Sequence, residues 1–162
     1  MRKNFQNEFF NLLLKSGIEN FIGIPDSTLK NFIDEGLEQK KIIIPTREEE
    51  AIGIAVGMSL SKSKSLVFMQ NAGFANSLST ITSLVQLYKI PLIFLIGWRG
   101  YLSKDAPEHK KIGKIQPELL EILNLPSKVI TEKNWKSVCL WSIKKIENNI
   151  PCALIIRREF LD

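Results

Sequence analysis

The chain has 162 residues, of which 44% are hydrophobic and 24% are charged, so it is long enough for one domain with a substantial core and does not belong to the disordered class. No apolar run approaches the length of a membrane span, and the basic N-terminus is not followed by a signal-type apolar region, so we expect a cytoplasmic location. The net charge of +5 comes from scattered lysines, which favours a solvated surface or a field that attracts a small anion over a nucleic-acid partner.

Helical and strand-like segments alternate along the chain. Apolar residues at helical spacing and stop signals predict helices over residues 4–16, from a Ser27 cap to Leu37, and over 49–61, 76–88, 117–123 and 135–148. Short apolar runs predict strands over residues 21–24, 42–44, 66–69, 92–96, 129–130 and 153–156, with an irregular stretch over 98–114. Residues 92–96 form the most hydrophobic run, which predicts a central strand.

This alternation predicts the fold class. Strands separated by helices need crossover connections, so we predict a three-layer α/β fold, a single domain over residues 1–162 with a mostly parallel central sheet flanked by helices. In such sheets ligands bind beyond the carboxyl ends of the strands. The segments expected to carry function are those that follow strands, at residues 25–27, 46–48, 70–76 and 98–109.

Cysteine usage gives no sign of a metal centre. Cys139 and Cys152 form no Cys-x-x-Cys pair and have no neighbouring histidine. Two buried thiols in a reducing compartment are therefore expected, without a disulfide framework or a zinc site. We predict no metal ligand in this chain.

The helix after the second strand opens with three consecutive carboxylates, Glu48, Glu49 and Glu50. Acidic residues in a first turn complement the helix dipole, but three exceed that need. Gly53 and Gly57 follow at i, i+4 spacing, and each costs up to roughly 1 kcal/mol relative to alanine. Close approach of another backbone, from this chain or from a partner, is the expected reason for them.

Three further features carry polar groups. Residues 70–76 combine amides with a glycine, which suits a site that fixes a small polar molecule, although an ordinary turn with an Asn76 helix cap has the same composition. Arg99 suits a phosphonate, a sulfonate or a carboxylate, or else a surface ion pair. His109, the only histidine, is either incidental or a proton carrier or substrate ligand.

Four motifs, each at a predicted strand end, together resemble the pyrimidine-binding domain of thiamine-diphosphate-dependent decarboxylases. They are residues 23–27 (Gly-Ile-Pro-Asp-Ser), 47–57 (Arg-Glu-Glu-Glu-Ala-Ile-Gly-Ile-Ala-Val-Gly), 69–77 (Met-Gln-Asn-Ala-Gly-Phe-Ala-Asn-Ser) and 96–100 (Ile-Gly-Trp-Arg-Gly). Within this group the chain is similar to the pyrimidine-binding (alpha) subunit of the phosphonopyruvate and sulfopyruvate decarboxylase family. The resemblance covers nearly the whole chain and implies thiamine diphosphate as the cofactor.

The resemblance also implies roles for single residues. In this family a glutamate nine positions before the helix glycine contacts the cofactor's pyrimidine ring, and counting back from Gly57 gives Glu48, whose carboxyl group would share a proton with a ring nitrogen. Asp26 and His109 match residues that face the reacting centre and would transfer protons and orient the substrate. The other implied contacts are with the cofactor for Pro25, Asn71 and Gly73, and with the substrate for Ser27, Asn76 and Arg99.

One departure from the family pattern implies a partner. In this family a Gly-Asp-Gly run and a downstream Asn hold the diphosphate and a magnesium ion, and this sequence contains no Gly-Asp-Gly. The chain begins with Met1 and ends just after its last predicted strand. The resemblance thus implies a separate beta subunit that carries the Gly-Asp-Gly domain, holds Mg²⁺ and the diphosphate, and completes the active site between the two chains.

The resemblance leaves the substrate open between two small anionic 2-oxoacids. The Asp105-x-Pro107-x-His109 pattern favours phosphonopyruvate, converted to phosphonoacetaldehyde and carbon dioxide, and the alternative is sulfopyruvate, converted to sulfoacetaldehyde. A noncatalytic regulatory subunit of such a complex is a further alternative. A generic nucleotide or phosphate binder is disfavoured, because no Gly-x-Gly-x-x-Gly or Walker-type loop follows the first strand.

Overall fold

The computed structural model describes residues 4–101 and 105–158. Within these residues the strands are β1 Asn20–Gly23, β2 Ile42–Ile43, β3 Ser65–Gln70, β4 Leu92–Trp98, β5 Ser127–Ile130 and β6 Cys152–Arg157. The α-helices are α1 Phe5–Lys15, α2 Lys30–Glu38, α3 Glu48–Leu60, α4 Asn71–Asn76, α5 Leu78–Thr80, α6 Pro107–Ile122 and α7 Trp135–Glu147. A 3-10 turn, Ser27–Leu29, precedes α2, and a π-helical turn, Ile81–Gln86, follows α5.

The strands of the described chain form one six-stranded sheet in the order β2-β1-β3-β4-β6-β5, and every pairing is parallel. β4 pairs with β3 on one side and with β6 on the other, and all seven of its residues are buried. A strand covered on both faces favours apolar side chains in both directions, which explains its continuous hydrophobic run. The predicted parallel sheet and the central position of this strand are confirmed.

Helices cover both faces of the sheet and divide the core in two. Side chains alternate along β4, so that Ile93 and Leu95 face α1, α2 and α7, whereas Phe94 and Ile96 face α3, α4 and α6. The three-layer α/β fold predicted from the sequence is therefore confirmed. Among the described helices, none has the length and apolar character that crossing a membrane would require.

The segment over residues 70–76 is not a turn, and that prediction is wrong. β3 runs to Gln70, and α4 begins at the next residue, so Asn76 ends this helix and does not cap the start of one. The composition is typical of a turn because asparagine and glycine often bond their own backbone there. In the folded chain, however, Asn71 and Phe74 are fully buried, and packing overrides the local preference.

The irregular stretch predicted over residues 98–114 is also partly wrong, because α6 begins at Pro107 and passes through Pro117. A proline inside a helix cannot donate to the carbonyl four residues earlier, which here belongs to Gly113. The indole Nε1–H of Trp98 donates to that carbonyl at 2.8 Å and replaces the missing bond. A tertiary contact thus allows the helix to continue.

The start of α2 differs from the prediction as well. Ser27 begins the 3-10 turn, and its hydroxyl accepts a hydrogen bond from Arg99, so it does not cap a helix. Leu37, the last residue of the predicted helix, is 48% exposed. The remaining elements lie within two residues of their predicted bounds or extend beyond them by a short distance.

Candidate active site

The carboxyl ends of β1, β3 and β4 bring separate segments of the chain together. These strands are neighbours in the sheet, and the direct passage from β3 into α4 holds residues 70–73 at its edge. Three residues of this segment each contact a different side chain or backbone group from elsewhere in the chain, and together they form the cluster. The contacts are Gln70 with His109, Asn71 with Arg99, and Gly73 with Glu48.

Glu48 is the first residue of α3, and its side chain packs against Gly73. A Cβ added to Gly73 would overlap Oε1 of Glu48 and lie 2.6 Å from its Cγ and Cδ, so only glycine leaves room for the side chain. The half-buried carboxyl group makes no hydrogen bond or ion pair with any described residue. By contrast, Glu50 accepts a bond from the Thr46 N–H at 2.7 Å, as expected for an acidic residue in a first helical turn. Glu48 is therefore the carboxyl group left available for a ligand.

Asp26 lies just beyond β1 and is buried between this strand end and β4. A Cβ on Gly97 would overlap its Oδ2, an oxygen with no hydrogen-bond partner in the described part of the chain. Burial raises the pKa of Asp26 above its usual value, and the neighbouring Thr28 and the guanidinium of Arg99 oppose this rise. A carboxyl group with a raised pKa holds its proton closer to neutral pH, which suits proton transfer.

His109 lies in the first turn of α6 and contacts the end of β3. Its Nδ1 is 3.0 Å from Nε2 of Gln70, a hydrogen bond that orients the ring and leaves the ring Nε2 without a partner among the described residues. Gly100, at φ +74°, packs so closely on the His109 backbone that a Cβ would lie 2.6 Å from the carbonyl carbon. Gln70 received no individual role from the sequence, and its place at a strand end was the only signal for it.

Arg99 forms a bidentate ion pair, the clasp, with Asp105. Its Nε and Nη2 donate to the two carboxylate oxygens at 2.6 and 2.7 Å, and the side chains are only 14% and 5% exposed. Asp105 also accepts from the backbone N–H groups of Gly100 at 3.0 Å and Ala106 at 2.8 Å. The hydrogen bonds from Arg99 hold the pKa of Asp105 well below its usual range. The sequence left open whether Arg99 meets a ligand anion or forms a surface ion pair. The structure shows an ion pair, but it is largely buried.

The remaining contacts of Arg99 join the β1 and β4 segments. Its Nη1 lies 3.3 Å from Oγ of Ser27 and 3.9 Å from Oδ1 of Asp26. The fully buried side chain of Asn71 donates to the Arg99 carbonyl at 3.0 Å and accepts from its N–H at 3.2 Å. Asn71 thus supports the Arg99 backbone, and its contact with a cofactor stays a prediction.

The structure brings most of the predicted site residues into this cluster. Pro25 is exposed between β1 and the 3-10 turn, and Ser27 is exposed with its hydroxyl on Arg99. Asn76 lies exposed at the far end of α4 and its side chain makes no hydrogen bond to a described residue, so the structure does not bring it to the cluster. The roles assigned to the individual residues stay predictions.

Replacing Asp105 with asparagine is expected to lower the free energy of unfolding by roughly 3 kcal/mol, because it leaves the largely buried Arg99 without its closest carboxylate and with only Asp26, at 3.9 Å, nearby. Asp34→Asn is the matched control, since Asp34 pairs with Lys30 at an exposed site and its loss should cost under about 1 kcal/mol. Chemical denaturation of both variants at neutral pH measures the difference.

The pH dependence gives a second check on this ion pair. Because the folded-state pKa of Asp105 is lowered, its stabilisation is complete above the unfolded-state value of about 4 and is lost as the pH falls further. The stability gap between the parent chain and Asp105→Asn should therefore stay constant from neutral pH to about 5 and narrow in stronger acid. Equal small losses in Asp105→Asn and Asp34→Asn would contradict a supporting role for the clasp.

The parallel sheet and the acid–base cluster beyond its carboxyl edge define an α/β ligand-binding domain. Residues 3–122 match the family described as thiamine pyrophosphate enzyme, N-terminal TPP binding domain, and the chain belongs to this family. The family resemblance drawn from the four motifs is therefore confirmed.

Curated relatives carry two different names. The sulfopyruvate decarboxylase subunit alpha of Methanocaldococcus jannaschii is 38% identical over 73% of this chain and 71% of its own length. The protein of the same name from Methanococcus maripaludis is 31% identical over 94% of both chains. A phosphonopyruvate decarboxylase from Streptomyces viridochromogenes is 29% identical over 72% of this chain but only 30% of its own length. The sequence pattern favoured a phosphonopyruvate decarboxylase, but among the names of these relatives sulfopyruvate decarboxylase subunit alpha is the better supported.

Solved structures share the fold at low sequence identity. Benzoylformate decarboxylase from Polynucleobacter necessarius superposes with a TM-score of 0.72 at 18% identity, over 100% of this chain and 32% of that one. 2-Oxoglutarate:ferredoxin oxidoreductase from Magnetococcus marinus gives 0.73 at 14% identity, over 94% of this chain and 28% of that one. The chain therefore spans about a third of the length of these proteins, and the likeness concerns the fold alone.

Proposed function

We propose that this chain is the alpha subunit of a thiamine-diphosphate-dependent sulfopyruvate decarboxylase and that residues 1–162 form its pyrimidine-binding domain. The observation that carries this proposal is the unpaired, half-buried carboxyl group of Glu48, held against Gly73 at the carboxyl edge of the sheet. A carboxyl group in this position can exchange a proton with a nitrogen of the cofactor's pyrimidine ring, which is the role that the family resemblance implies for Glu48.

The residues present fit a heterocyclic cofactor. Glu48 offers an acceptor that no described residue occupies, and Gly73 leaves the space in which that carboxyl group lies. Glu48 would hold and release a proton at a ring nitrogen, and the family resemblance assigns Pro25 and Asn71 to the same cofactor. When bound, thiamine diphosphate supplies the nucleophile and the electron sink for decarboxylation.

Asp26 and His109 would handle protons at the substrate. Decarboxylation of sulfopyruvate breaks the bond between the carboxylate carbon and the 2-oxo carbon, and a proton must then be placed on the latter to give sulfoacetaldehyde. The raised pKa of Asp26 suits a donor for this step, and Gln70 orients the His109 ring so that Nε2 is left available.

A beta subunit would supply the Gly-Asp-Gly domain, the magnesium ion and the diphosphate contacts. The sequence has no Gly-Asp-Gly, and the relatives named as alpha subunits support a partner. α3 offers a surface for it: apolar or small residues occupy all sides of this helix, and Leu60 is 71% exposed. At Gly53 and Gly57 a Cβ would meet no described atom within 4 Å, so the described part of this chain gives no packing reason for these glycines. This open surface supports the proposal that the backbone of a partner approaches them.

Enlarging the α3 glycines should therefore affect assembly and leave the fold of the chain intact. Gly53→Ala is expected to raise the free energy of unfolding of the isolated chain by about 1 kcal/mol, because alanine is the better helix residue and has open space. Gly53→Leu should weaken binding to the beta subunit at least tenfold, measured by titration calorimetry. Lys144→Leu, at an exposed position of α7 on the opposite face of the sheet, is the control. Unchanged binding by Gly53→Leu would remove α3 from the interface.

The substrate is tested with the reconstituted pair of subunits. We expect carbon dioxide release with sulfopyruvate to exceed that with phosphonopyruvate at least tenfold in kcat/KM. The reason is that phosphonate carries more negative charge near neutral pH and would need additional cationic contacts. A clear preference for phosphonopyruvate would restore the order that the Asp105-x-Pro107-x-His109 pattern favours.

A further inference from the structure

A cavity of about 440 Å³ lies beside the cluster described above, on the face of the sheet covered by α1, α2 and α7. Its walls come from the first turn of α1, the 3-10 turn after β1, and the carboxyl ends of β5 and β6. Its polar and charged lining residues include Ser27, Thr28, Lys30, Glu132, Arg157 and Arg158. Of these residues only Ser27 has a role assigned above, a contact with the substrate.

The cavity is positively charged. Lys30 and Arg158 line it, against one carboxylate, that of Glu132, among the described lining residues. Lys30 pairs with Asp34 only at an exposed site, where such a pair is weak and exchangeable. Arg157 also borders the cavity, but its guanidinium stacks 4.2 Å from the Tyr101 ring, on the face of the sheet covered by α3, α4 and α6, so the charges of this wall are those of Lys30 and Arg158. This wall can therefore supply cationic donors to an anion.

Two features add hydrogen-bond donors to these charges. Thr28 lines the cavity with only 8% of its surface exposed, and its hydroxyl, which acts on the Asp26 carboxyl group, has no well-formed hydrogen bond in the described chain. The first turn of α1, opened by the Asn4 cap, also lines the cavity and presents the positive end of an 11-residue helix. Charge, helix dipole and a hydroxyl without a well-formed bond all favour the same kind of ligand, a small oxyanion.

The cavity shares its wall with the cluster. Ser27 lines it and bonds Arg99 at 3.3 Å, and Arg158 lines it and lies 3.4 Å from Asp105. Arg99 itself is neutralised by its two hydrogen bonds to Asp105, so it is poorly suited to meet an anion alone. Arg158 makes only one, longer contact with Asp105, at 3.4 Å, and its side chain is 38% exposed, so it is more available to an anion than Arg99.

We propose that this cavity, and not Arg99, binds the anionic head group of the substrate, a tetrahedral oxyanion of the sulfonate or phosphonate class. The proposal rests on the proposed function for the identity of the substrate. The same chemistry would fit a free anion such as inorganic sulfate, and the two sources are separated below.

Binding is tested first on the full isotope-labelled chain, without any assay of turnover. Titration with methanesulfonate and with inorganic sulfate should shift the amide resonances of Ser27, Thr28 and Thr131 in a saturable manner. The double variant Lys30→Gln, Arg158→Gln should weaken this binding about tenfold or more, and Arg158→Lys, which keeps the charge, should retain most of it. Lys144→Gln is the control, because Lys144 is exposed in the last turn of α7 at the opposite edge of the sheet. No saturable shift, or equal affinity in the double variant, would overturn the site.

The reconstituted enzyme then separates the two sources of the anion. If the cavity holds the substrate's head group, the double variant should raise KM for sulfopyruvate about tenfold or more with a smaller change in kcat. The inhibition constant of pyruvate, which lacks the sulfonate, should stay the same. Equal weakening of both ligands, or an unchanged KM while methanesulfonate binding to the chain falls, would assign the cavity to a free anion and overturn the head-group role. Loss of turnover with every 2-oxoacid in the parent complex would refute the proposed function, whereas the titration would still decide whether the cavity binds anions.

Discussion

Replacing Glu48 with glutamine is expected to lower carbon dioxide release by the reconstituted complex roughly 10²- to 10⁴-fold, the range typical for loss of a positioned acid–base group. Glutamine has nearly the same shape and would still pack against Gly73, but it cannot exchange a proton with a ring nitrogen. Stopped assays with saturating cofactor and sulfopyruvate measure the effect, and circular dichroism checks that the fold is retained.

Glu49→Gln is the matched control for this experiment. Glu49 lies in the same first turn of α3, so the change removes the same charge from the same end of the helix. Activity close to that of the parent complex is expected, because the resemblance assigns no proton transfer to Glu49. Full activity of Glu48→Gln would instead support the alternative of a noncatalytic subunit.

Replacing Gly73 with alanine is expected to lower kcat/KM about 100-fold while changing stability little. The added Cβ would overlap Oε1 of Glu48 and lie 2.6 Å from its Cδ, so the carboxyl group must swing away from its place at the sheet edge. The atoms displaced belong to the end of a flexible side chain, and alanine is the better helix residue by up to about 1 kcal/mol. The thermal unfolding midpoint should therefore move by only a few degrees.

A double-mutant cycle tests whether Gly73 acts through Glu48. In a chain that already carries Glu48→Gln, adding Gly73→Ala should cost little further activity, because the group that it displaces no longer transfers a proton. Additive losses in the double variant would mean that Gly73 serves the site in another way, for instance by direct contact with the cofactor. Measurement of kcat/KM for the four combinations separates these outcomes.

The fold followed from the sequence because its signals are local. The run from Leu92 to Ile96 is apolar at every position, which is possible only where both faces of a strand are covered, and it proved to be buried in the interior of the sheet. Likewise, the position of Glu48 at the start of a helix that follows a strand could be read directly from the order of residues. Such features depend on neighbours within a few positions along the chain.

The contacts within the cluster depended on residues far apart in sequence. Nothing near Pro117 indicates that Trp98 supplies the missing bond to the Gly113 carbonyl, so the length of α6 was underestimated. In the same way, the polar composition around Asn71 is typical of a turn, whereas the helix there is stabilised by burial of its side chain against the Arg99 backbone. In both segments tertiary contacts outweighed the local preference of the residues for a non-helical backbone.

By itself, the amino-acid order determined the α/β class, the parallel sheet and which strand ends carry acidic, amide and imidazole groups, since hydrophobic periodicity and residue type are properties of short segments. Only the tertiary structure decided how these groups are used: Glu48 is left unpaired against Gly73, whereas Arg99 is bound by Asp105. The physical reason is that the availability of a charge depends on the partners that folding brings to it.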